Sequence, residues 1–140
     1  MKDSGFEFKT GKHGLEKILG PLESEIMEVV WSMGKVYVRD VHEALNSGDD
    51  KAIAYTTVMT TMSRLAKKGI LKTFKDGNAY TYEAASDKGN FLNNAVGEVV
   101  DGLLDDFSEP AIAHFVEKIK QVDPVKMKQL EELIALKKLK

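Results

Sequence analysis

The sequence predicts a mainly α-helical protein with one small antiparallel β-hairpin, and three observations support this fold class. A helical pattern over residues 56–69 leads directly into two segments of alternating polarity, residues 70–75 and 79–83. Asp-Gly lies in the turn between them and is a strong hairpin signal, because glycine accepts the positive φ of a tight turn. From residue 91 onward, apolar residues recur at helical spacing. A helix followed by a hairpin is the element order of a winged helix, so we expect a winged helix-turn-helix domain and then a helical domain.

The chain begins with a segment that has no sustained pattern. Residues 1–20 contain four lysines and four glycines among scattered aromatic residues. We expect a flexible arm or a short additional turn there. The first core helix is predicted to begin at Gly20-Pro21, because proline is favoured in the first turn of a helix. The apolar side of this helix carries Leu22, Ile26, Val29, Val30 and Met33.

Two short elements are predicted between the first helix and residue 56. Trp31, near the end of the first helix, is expected to be a packing anchor, since a large ring on an amphipathic helix usually buries its area. Residues 36–38 can form a short strand, and residues 39–45 are predicted to form a second helix. A polar loop over residues 46–50 follows. The second and third helices would then form a helix-turn-helix pair.

The third predicted helix combines an apolar side with a surface of hydroxyl and basic side chains. Val58, Met62 and Leu65 recur at helical spacing and would face a core. Short hydroxyl side chains let a helix enter the major groove of DNA, and basic side chains can contact phosphates. An ordinary solvated face that is rich in threonine by chance would look the same. The residues of the remaining surface, which we take as candidate DNA contacts, are Thr56, Thr57, Thr60, Ser63, Arg64 and Lys67.

The hairpin after this helix lies in the basic part of the chain. Residues 51–88 contain seven basic and three acidic side chains, although the whole chain has a formal net charge of −2. Phosphate binding depends on a local positive footprint, so the central excess matters more than the total. We expect Lys72, Lys75 and Asn78 to lie near a phosphate backbone. The hairpin could equally cover a small core, and the two roles are compatible.

The C-terminal part is predicted to consist of three short helices. The first spans about residues 91–107, the second begins at Ser108-Glu109-Pro110, and the third at Asp123-Pro124. So much apolar surface, added to a domain that has its own core, requires a partner. A second copy of the chain is the simplest partner, although the helices could instead fold back on the first domain. The residues assigned to a dimer core are Leu103, Leu104, Phe107, Phe115, Ile119, Leu130, Leu133 and Ile134.

These patterns give a three-part organisation: an arm over residues 1–20, a winged-helix domain over residues 21–88 and a helical dimerisation domain over residues 89–140. Other classes of protein find no support. The chain lacks cysteine, and its three histidines lack the short spacing of a zinc site, so we expect no metal and no cofactor. Glycine-rich phosphate loops and nucleophile motifs are absent, so we expect no enzyme. No apolar run has the length of a signal peptide or a membrane helix, so we expect a cytoplasmic protein without membrane insertion.

In the order and spacing of these segments, the sequence resembles the penicillinase-repressor family of the BlaI/MecI type, which also includes copper-responsive repressors. The resemblance runs from about Leu22 to Leu136. It is carried by residues 22–31, by residues 55–71 and by the end of the hairpin, Tyr80-Thr81-Tyr82. Two C-terminal segments extend it, Phe91-Leu92 and His114-Phe115-Val116-Glu117.

The resemblance implies a dimeric winged-helix repressor that binds inverted-repeat operators in double-stranded DNA until an inducing signal releases it. Thr57, Thr60 and Arg64 match family residues on the recognition helix. Thr56 and Met59 depart from the longer basic residues that the antibiotic-resistance repressors usually carry there, which leaves the operator sequence open. The paired C-terminal cysteines of the copper-responsive branch are missing, so the resemblance implies no copper sensing by that route.

The resemblance also implies candidate signals. Some family members are inactivated when a membrane sensor pathway leads to cleavage of an Asn-Phe bond, and here the matching dipeptide is His114-Phe115. The chain's own Asn-Phe pair is Asn90-Phe91, at the start of the preceding helix. A regulon of the β-lactam-resistance type is one implication. The alternative to a repressor is a winged-helix protein-interaction module without a specific operator.

Overall fold

The computed structural model describes residues 7–48 and 52–138. It is mainly helical, with one two-stranded antiparallel sheet in the described part of the chain, so the predicted fold class is confirmed. The chain divides into two compact units between Gly97 and Glu98. After a short 3-10 helix, Gly14–Lys17, the elements are α1 (Pro21–Met33), α2 (Val38–Leu45), α3 (Tyr55–Lys67), β1 (Leu71–Asp76), β2 (Ala79–Ala84), α4 (Lys88–Val122) and α5 (Pro124–Lys138).

The start of α1 is stabilised by its local sequence. Pro21 occupies the first turn, where its missing N–H would have had no helical acceptor. The Gly20 N–H donates to Glu23 Oε1 at 3.2 Å, and Ser24 Oγ donates to the Gly20 carbonyl at 2.8 Å. At the other end, Gly34 adopts a φ of 90° and stops the helix.

The core of the N-terminal unit lies between the three helices and the hairpin. Its side chains come from the three helices and the sheet. Of the apolar positions predicted on α1, Ile26 and Val30 are buried, and Leu22 and Val29 are partly buried. The prediction is wrong for Met33, which is exposed because it is the last residue of the helix. Ile18 and Leu19 belong to this core as well, so the expected arm over residues 1–20 is wrong for its last part. The 3-10 helix just before them turns the chain back toward α1, which brings both apolar side chains inward. Residues 1–6 of the expected arm lie outside the described residues. The buried apolar core residues are Ile18, Leu19, Ile26, Met27, Val30, Val36, Val38, Val41, Val58, Met62, Leu65, Ile70, Leu71, Tyr82 and Ala95.

The short strand expected over residues 36–38 is reduced to a single bridge. Val36 pairs with Tyr82 of β2, with N···O distances of 2.9 and 2.7 Å. Val38 is already the first residue of α2. The reason is local capping, because Asp40 Oδ2 accepts the Tyr37 N–H at 2.8 Å and so makes Tyr37, the residue after the bridge, the N-cap of α2.

Two glycines shape the connection from α3 to the hairpin. Gly69 follows the end of α3 with a φ of 82°, and Gly77 lies in the hairpin turn with a φ of 63°. The turn has two residues, because Asp76 pairs with Ala79 across it. Of these two, Gly77 alone has a positive φ, as the first central residue of a type II′ turn does. The predicted helix stop and the predicted hairpin turn are both present.

The predicted break between the first two C-terminal helices is present inside α4. Phe107 has non-helical angles (φ −137°, ψ 47°), which divides α4 into two helical segments. Pro110 then falls in the first turn of the second segment, where a missing N–H leaves no helical carbonyl without its donor. α5 begins at Pro124, and Asp123 Oδ1 accepts the Val125 N–H at 2.9 Å. No helix among the described residues is long and apolar enough to span a membrane.

The first turns of α4 pack on the N-terminal unit. The ring of Phe91 lies 5.6 Å from that of Trp31, whose Nε1 donates to the Ser86 carbonyl at 3.0 Å. Lys88 Nζ pairs with Glu28 at 2.9 Å. Trp31 is therefore the packing anchor that its sequence position predicts, and it fixes the beginning of α4 against α1.

Candidate nucleic-acid interface

α3 separates its residues as the sequence pattern predicts. Val58, Met62 and Leu65 have no exposed surface. All six candidate contacts on this helix, Thr56, Thr57, Thr60, Ser63, Arg64 and Lys67, are exposed. Thr61 is buried, and its Oγ1 donates to the Thr57 carbonyl at 2.8 Å. The helix therefore offers a surface of hydroxyl groups that ends in two cations, while its other side is held in the core.

The start of α3 is held by the end of α2. Asn46 Oδ1 accepts the Ile53 N–H at 2.6 Å, and Asn46 Nδ2 donates to the Ile53 carbonyl at 3.1 Å. A ring nitrogen of His42, Nε2, lies 2.9 Å from the same carbonyl. The His42 ring also meets the Tyr55 ring edge-on, with centroids 5.5 Å apart. These contacts set where α3 begins, although residues 49 and 50 of the expected loop lie outside the described part.

The hairpin is the wing of this fold, and the candidate contacts Lys72, Lys75 and Asn78 are exposed on it. Lys72 and Lys75 belong to β1, and Asn78 is the second residue of the turn. Leu71, Thr81 and Tyr82 of the wing are buried. The wing therefore covers the core and also exposes two cations, as both interpretations of the sequence allowed.

Three consecutive residues before α2 hold the wing, and the sequence reasoning missed them. Lys35 Nζ lies 4.9 Å from the centre of the Phe74 ring, Val36 bridges to Tyr82, and the Tyr37 hydroxyl donates to an Asp76 carboxylate oxygen. Residues 35–37 are distant from the wing in the sequence, and only the folding of the chain brings them to it. Their cationic and aromatic composition is the one signal in the sequence that could have indicated them.

Arg39 is a further residue that the sequence reasoning missed. Its guanidinium lies 4.9 Å from the centre of the Tyr37 ring, in cation–π geometry. The side chain is exposed at the start of α2, beside the residue that holds the turn of the wing. An arginine at the start of the helix-turn-helix pair was the signal available in the sequence.

The charges near the wing also affect Tyr37. Its hydrogen bond to the Asp76 carboxylate, followed by the negative charge of that carboxylate, raises the pKa of Tyr37 above its ordinary value of 10.0. Of the two neighbouring lysines at the end of α3, Lys68 is engaged with Glu23 of α1 at 3.0 Å. Lys67 is exposed and extends the surface that Arg64 begins. Among the described residues, no group of three or more His, Asp and Glu side chains could hold a metal ion.

The C-terminal unit exposes most of its large apolar side chains. Among residues 98–138, no side chain that the structure describes is buried. Ile119 and Leu130 are partly exposed, and the other candidate dimer residues, Leu103, Leu104, Phe107, Phe115, Leu133 and Ile134, are exposed. Phe107 and Phe115 reach 60% and 55% exposure. Within the described residues, α5 and the second part of α4 therefore have no buried core of their own.

Comparison with known proteins places the chain in a family. The profile of the penicillinase repressor family matches residues 19–136. The chain is 36% identical over 103 residues to the transcriptional regulator BlaI of Mycobacterium tuberculosis, which covers 72% of this chain and 73% of that protein. Two solved structures are also similar. The DNA-binding domain of the repressor BlaI has a TM-score of 0.45 and 22% identity, covering 61% of this chain and 92% of that one. Bacillus licheniformis BlaI in complex with the blaP half-operator has a TM-score of 0.43 and 26% identity, covering 51% and 85%.

The family assignment depends on the two sequence matches. The profile match extends through both units of the structure, and the identity to BlaI exceeds a third over most of both chains. The chain belongs to the penicillinase repressor family of DNA-binding transcriptional repressors.

Proposed function

We propose that this protein represses transcription as a homodimer that binds an inverted-repeat operator and is released by an inducing signal. The observation that carries the DNA-binding part is the exposed surface of α3, with hydroxyl groups followed by Arg64 and Lys67. Its dimensions and chemistry suit the major groove, where hydroxyl groups contact base edges and cations contact phosphates. Lys72, Lys75 and Asn78 of the wing, with the newly identified Arg39, add contacts to the backbone of the DNA. Such a repressor acts on its operator in the cytoplasm.

The apolar surface of the C-terminal unit supports the homodimer. A helical unit in which none of the described side chains is buried requires a partner, and a second copy of the chain presents the same surface. A homodimer formed through the apolar surface of the C-terminal unit would carry two winged helices, one for each half-site of an inverted repeat. The family resemblance and the exposed apolar surface both support this proposal.

The proposed signal acts on the C-terminal unit. His114 and Phe115, which match the family's cleavage dipeptide, are exposed within α4. Cleavage there would separate part of the dimer surface from the winged helix and so lower the affinity for two half-sites. The family resemblance supports a membrane sensor or protease pathway as the source of this signal. It also supports a regulon of the β-lactam-resistance type.

An electrophoretic mobility-shift experiment tests the DNA-binding proposal. The full-length protein is titrated onto promoter fragments from the neighbourhood of its own gene, in the presence of excess non-specific competitor DNA. A repressor should hold one fragment against the competitor, because specific binding is typically at least about 10³-fold tighter than non-specific binding. If all fragments were displaced equally, the winged helix would be a protein-interaction module without an operator.

A further inference from the structure

Met59 lies on the exposed surface of α3, among the side chains that we assign to DNA. It is 41% exposed, and its neighbours on that surface are Thr56, Thr60 and Ser63. Tyr55, the other exposed large hydrophobic side chain of α3, contacts the His42 ring. Met59 is absent from the apolar cluster of the N-terminal unit. The exposed apolar surface of Met59 is therefore available for contact with a ligand.

The rest of the α3 surface limits which bases it can recognise. Within Tyr55–Lys67 there is no Asn, Gln, Asp or Glu. The helix therefore lacks the amide that pairs with adenine through two hydrogen bonds and the carboxylate that accepts from cytosine. Arg64 is assigned to phosphate contacts, and the hydroxyl groups can contact several bases. Base recognition that goes beyond these contacts must come from the apolar groups.

Thymine is the base that offers an apolar partner in the major groove. Its C5-methyl group is the one apolar substituent on the major-groove edges of the four base pairs. A methionine side chain is flexible and polarizable, so it adapts well to such a contact. Thr56 lies one turn before Met59, and Thr60 follows Met59 in the sequence. The methyl groups of both threonines lie on the same surface of the helix as Met59.

We propose that Met59, assisted by the methyl groups of Thr56 and Thr60, recognises thymine methyl groups in the operator. This inference depends on the proposed function, since it concerns the bases that α3 contacts. It assigns a specificity-determining role to a residue at which the chain departs from the basic residues typical of antibiotic-resistance repressors.

The test uses duplexes that differ by one methyl group. The full-length protein first selects binding sites from a random-sequence duplex library, and the most enriched duplex is resynthesised with deoxyuridine in place of each thymine in turn. Binding is measured by fluorescence anisotropy. At one or two positions in each half-site, uracil should weaken binding about fourfold, which corresponds to about 0.8 kcal/mol for one buried methyl group.

Three variants complete the test. Met59→Ala and Met59→Gln should reduce the difference between the thymine and uracil duplexes to less than twofold at those positions, because the main contact is gone and only the threonine methyl groups remain. Met33→Ala is the matched control: Met33 is 53% exposed at the end of α1, outside α3, and this variant should keep the fourfold difference. Circular dichroism confirms that each variant is folded.

The results separate this inference from the repressor proposal. If a sequence is enriched but uracil changes binding less than twofold at every position, the methyl-recognition inference is wrong and the repressor proposal stands. The same conclusion follows if Met59→Ala and Met59→Gln keep the full uracil effect. If no sequence is enriched, the operator proposal fails, and the inference fails with it.

Discussion

Tyr37 shows how a single residue can position the wing without belonging to it. Its backbone N–H is capped by Asp40, its hydroxyl donates to Asp76, and its ring lies under the Arg39 guanidinium. The residue therefore joins the start of α2 to the end of β1. The hydrogen bond between Tyr37 and Asp76 joins side chains that are distant in the sequence. It also has a measurable effect on the ionisation of the Tyr37 phenol.

We expect one of the protein's four tyrosines to ionise above the ordinary range. The carboxylate of Asp76 accepts a hydrogen bond from the neutral phenol and repels the phenolate, so the pKa of Tyr37 is raised. A raised pKa in the folded state stabilises the fold below about pH 10, and this contribution is lost as the pH rises through the folded-state pKa. Absorbance at alkaline pH follows the phenolates directly.

Variants identify the tyrosine responsible. Tyr37→Phe should remove the component that Asp76 raises, and Asp76→Asn should move that component to lower pH. Tyr80→Phe serves as the control, because Tyr80 is an exposed tyrosine of the wing, and the elevated component should remain in this variant. An unchanged titration curve in Asp76→Asn would contradict the assignment.

Thr60 and Arg64 are expected to contribute differently to DNA binding. Base contacts specify a sequence and phosphate contacts position the protein, so Thr60→Ala should mainly relax the sequence preference. At one base-pair position, this variant should lose about 1–3 kcal/mol of binding free energy that distinguishes the correct base from the others. Arg64→Ala should weaken all sequences alike and reduce the salt dependence of binding. Each variant is titrated onto the operator and onto a scrambled duplex, and equal losses of Thr60→Ala on both would remove Thr60 from base recognition.

At the scale of elements, the connection from α3 to the wing depends on Gly69. Its φ of 82° is a conformation that other residues adopt at a cost, even though a Cβ there would meet no heavy atom within 4 Å. Gly69→Ala should therefore lower the free energy of unfolding by about 1–2 kcal/mol through backbone strain alone. Urea denaturation measures the change.

Gly97→Ala provides a control of opposite sign. Gly97 lies within α4 without a positive φ, and a Cβ there also meets open space. Alanine is favoured over glycine in a helix by about 1 kcal/mol, so this variant should be more stable than the wild type. If both variants were destabilised to the same degree, the conformation of Gly69 would not be the cause of its effect.

Local sequence signals predicted these elements well, and tertiary contacts explain where they did not. The Asp-Gly turn, the glycine stop after α3 and the break before Pro110 depend on neighbouring residues, and each is present in the structure. Ile18 and Leu19 follow a segment without periodicity, so their burial could not be predicted. Val36 forms a bridge only because Tyr82 approaches it from far along the chain.

The candidate site was predictable to a similar extent. Helical spacing identified which side of α3 is exposed, because Val58, Met62 and Leu65 define the opposite side. The same reasoning could not find Lys35, Tyr37 or Arg39. Their position beside the wing arises because the Val36–Tyr82 bridge joins the segment before α2 to β2, which leaves no repeat in the sequence.

At the scale of the whole molecule, the proposed dimer connects the C-terminal helices to DNA binding. Phe115 and Leu130 are assigned to the dimer core, where truncation of a large apolar side chain typically costs about 2–5 kcal/mol. A symmetric dimer contains each substitution twice. We therefore expect Phe115→Ala and Leu130→Ala to shift the protein toward monomers, as measured by analytical ultracentrifugation at micromolar concentration.

The same variants should lose operator affinity although their DNA-contacting surfaces are unchanged. In a dimer, binding of one winged helix gives the other a high effective concentration at the second half-site, and a monomer lacks this advantage. The loss should therefore appear on the full inverted repeat and be nearly absent on a single half-site. Val125→Ala, an exposed apolar position of α5 outside the assigned dimer core, should change neither assembly nor binding. If Phe115→Ala and Leu130→Ala remained dimeric and bound the inverted repeat as the wild type does, the apolar surface of the C-terminal unit would have to serve a different partner.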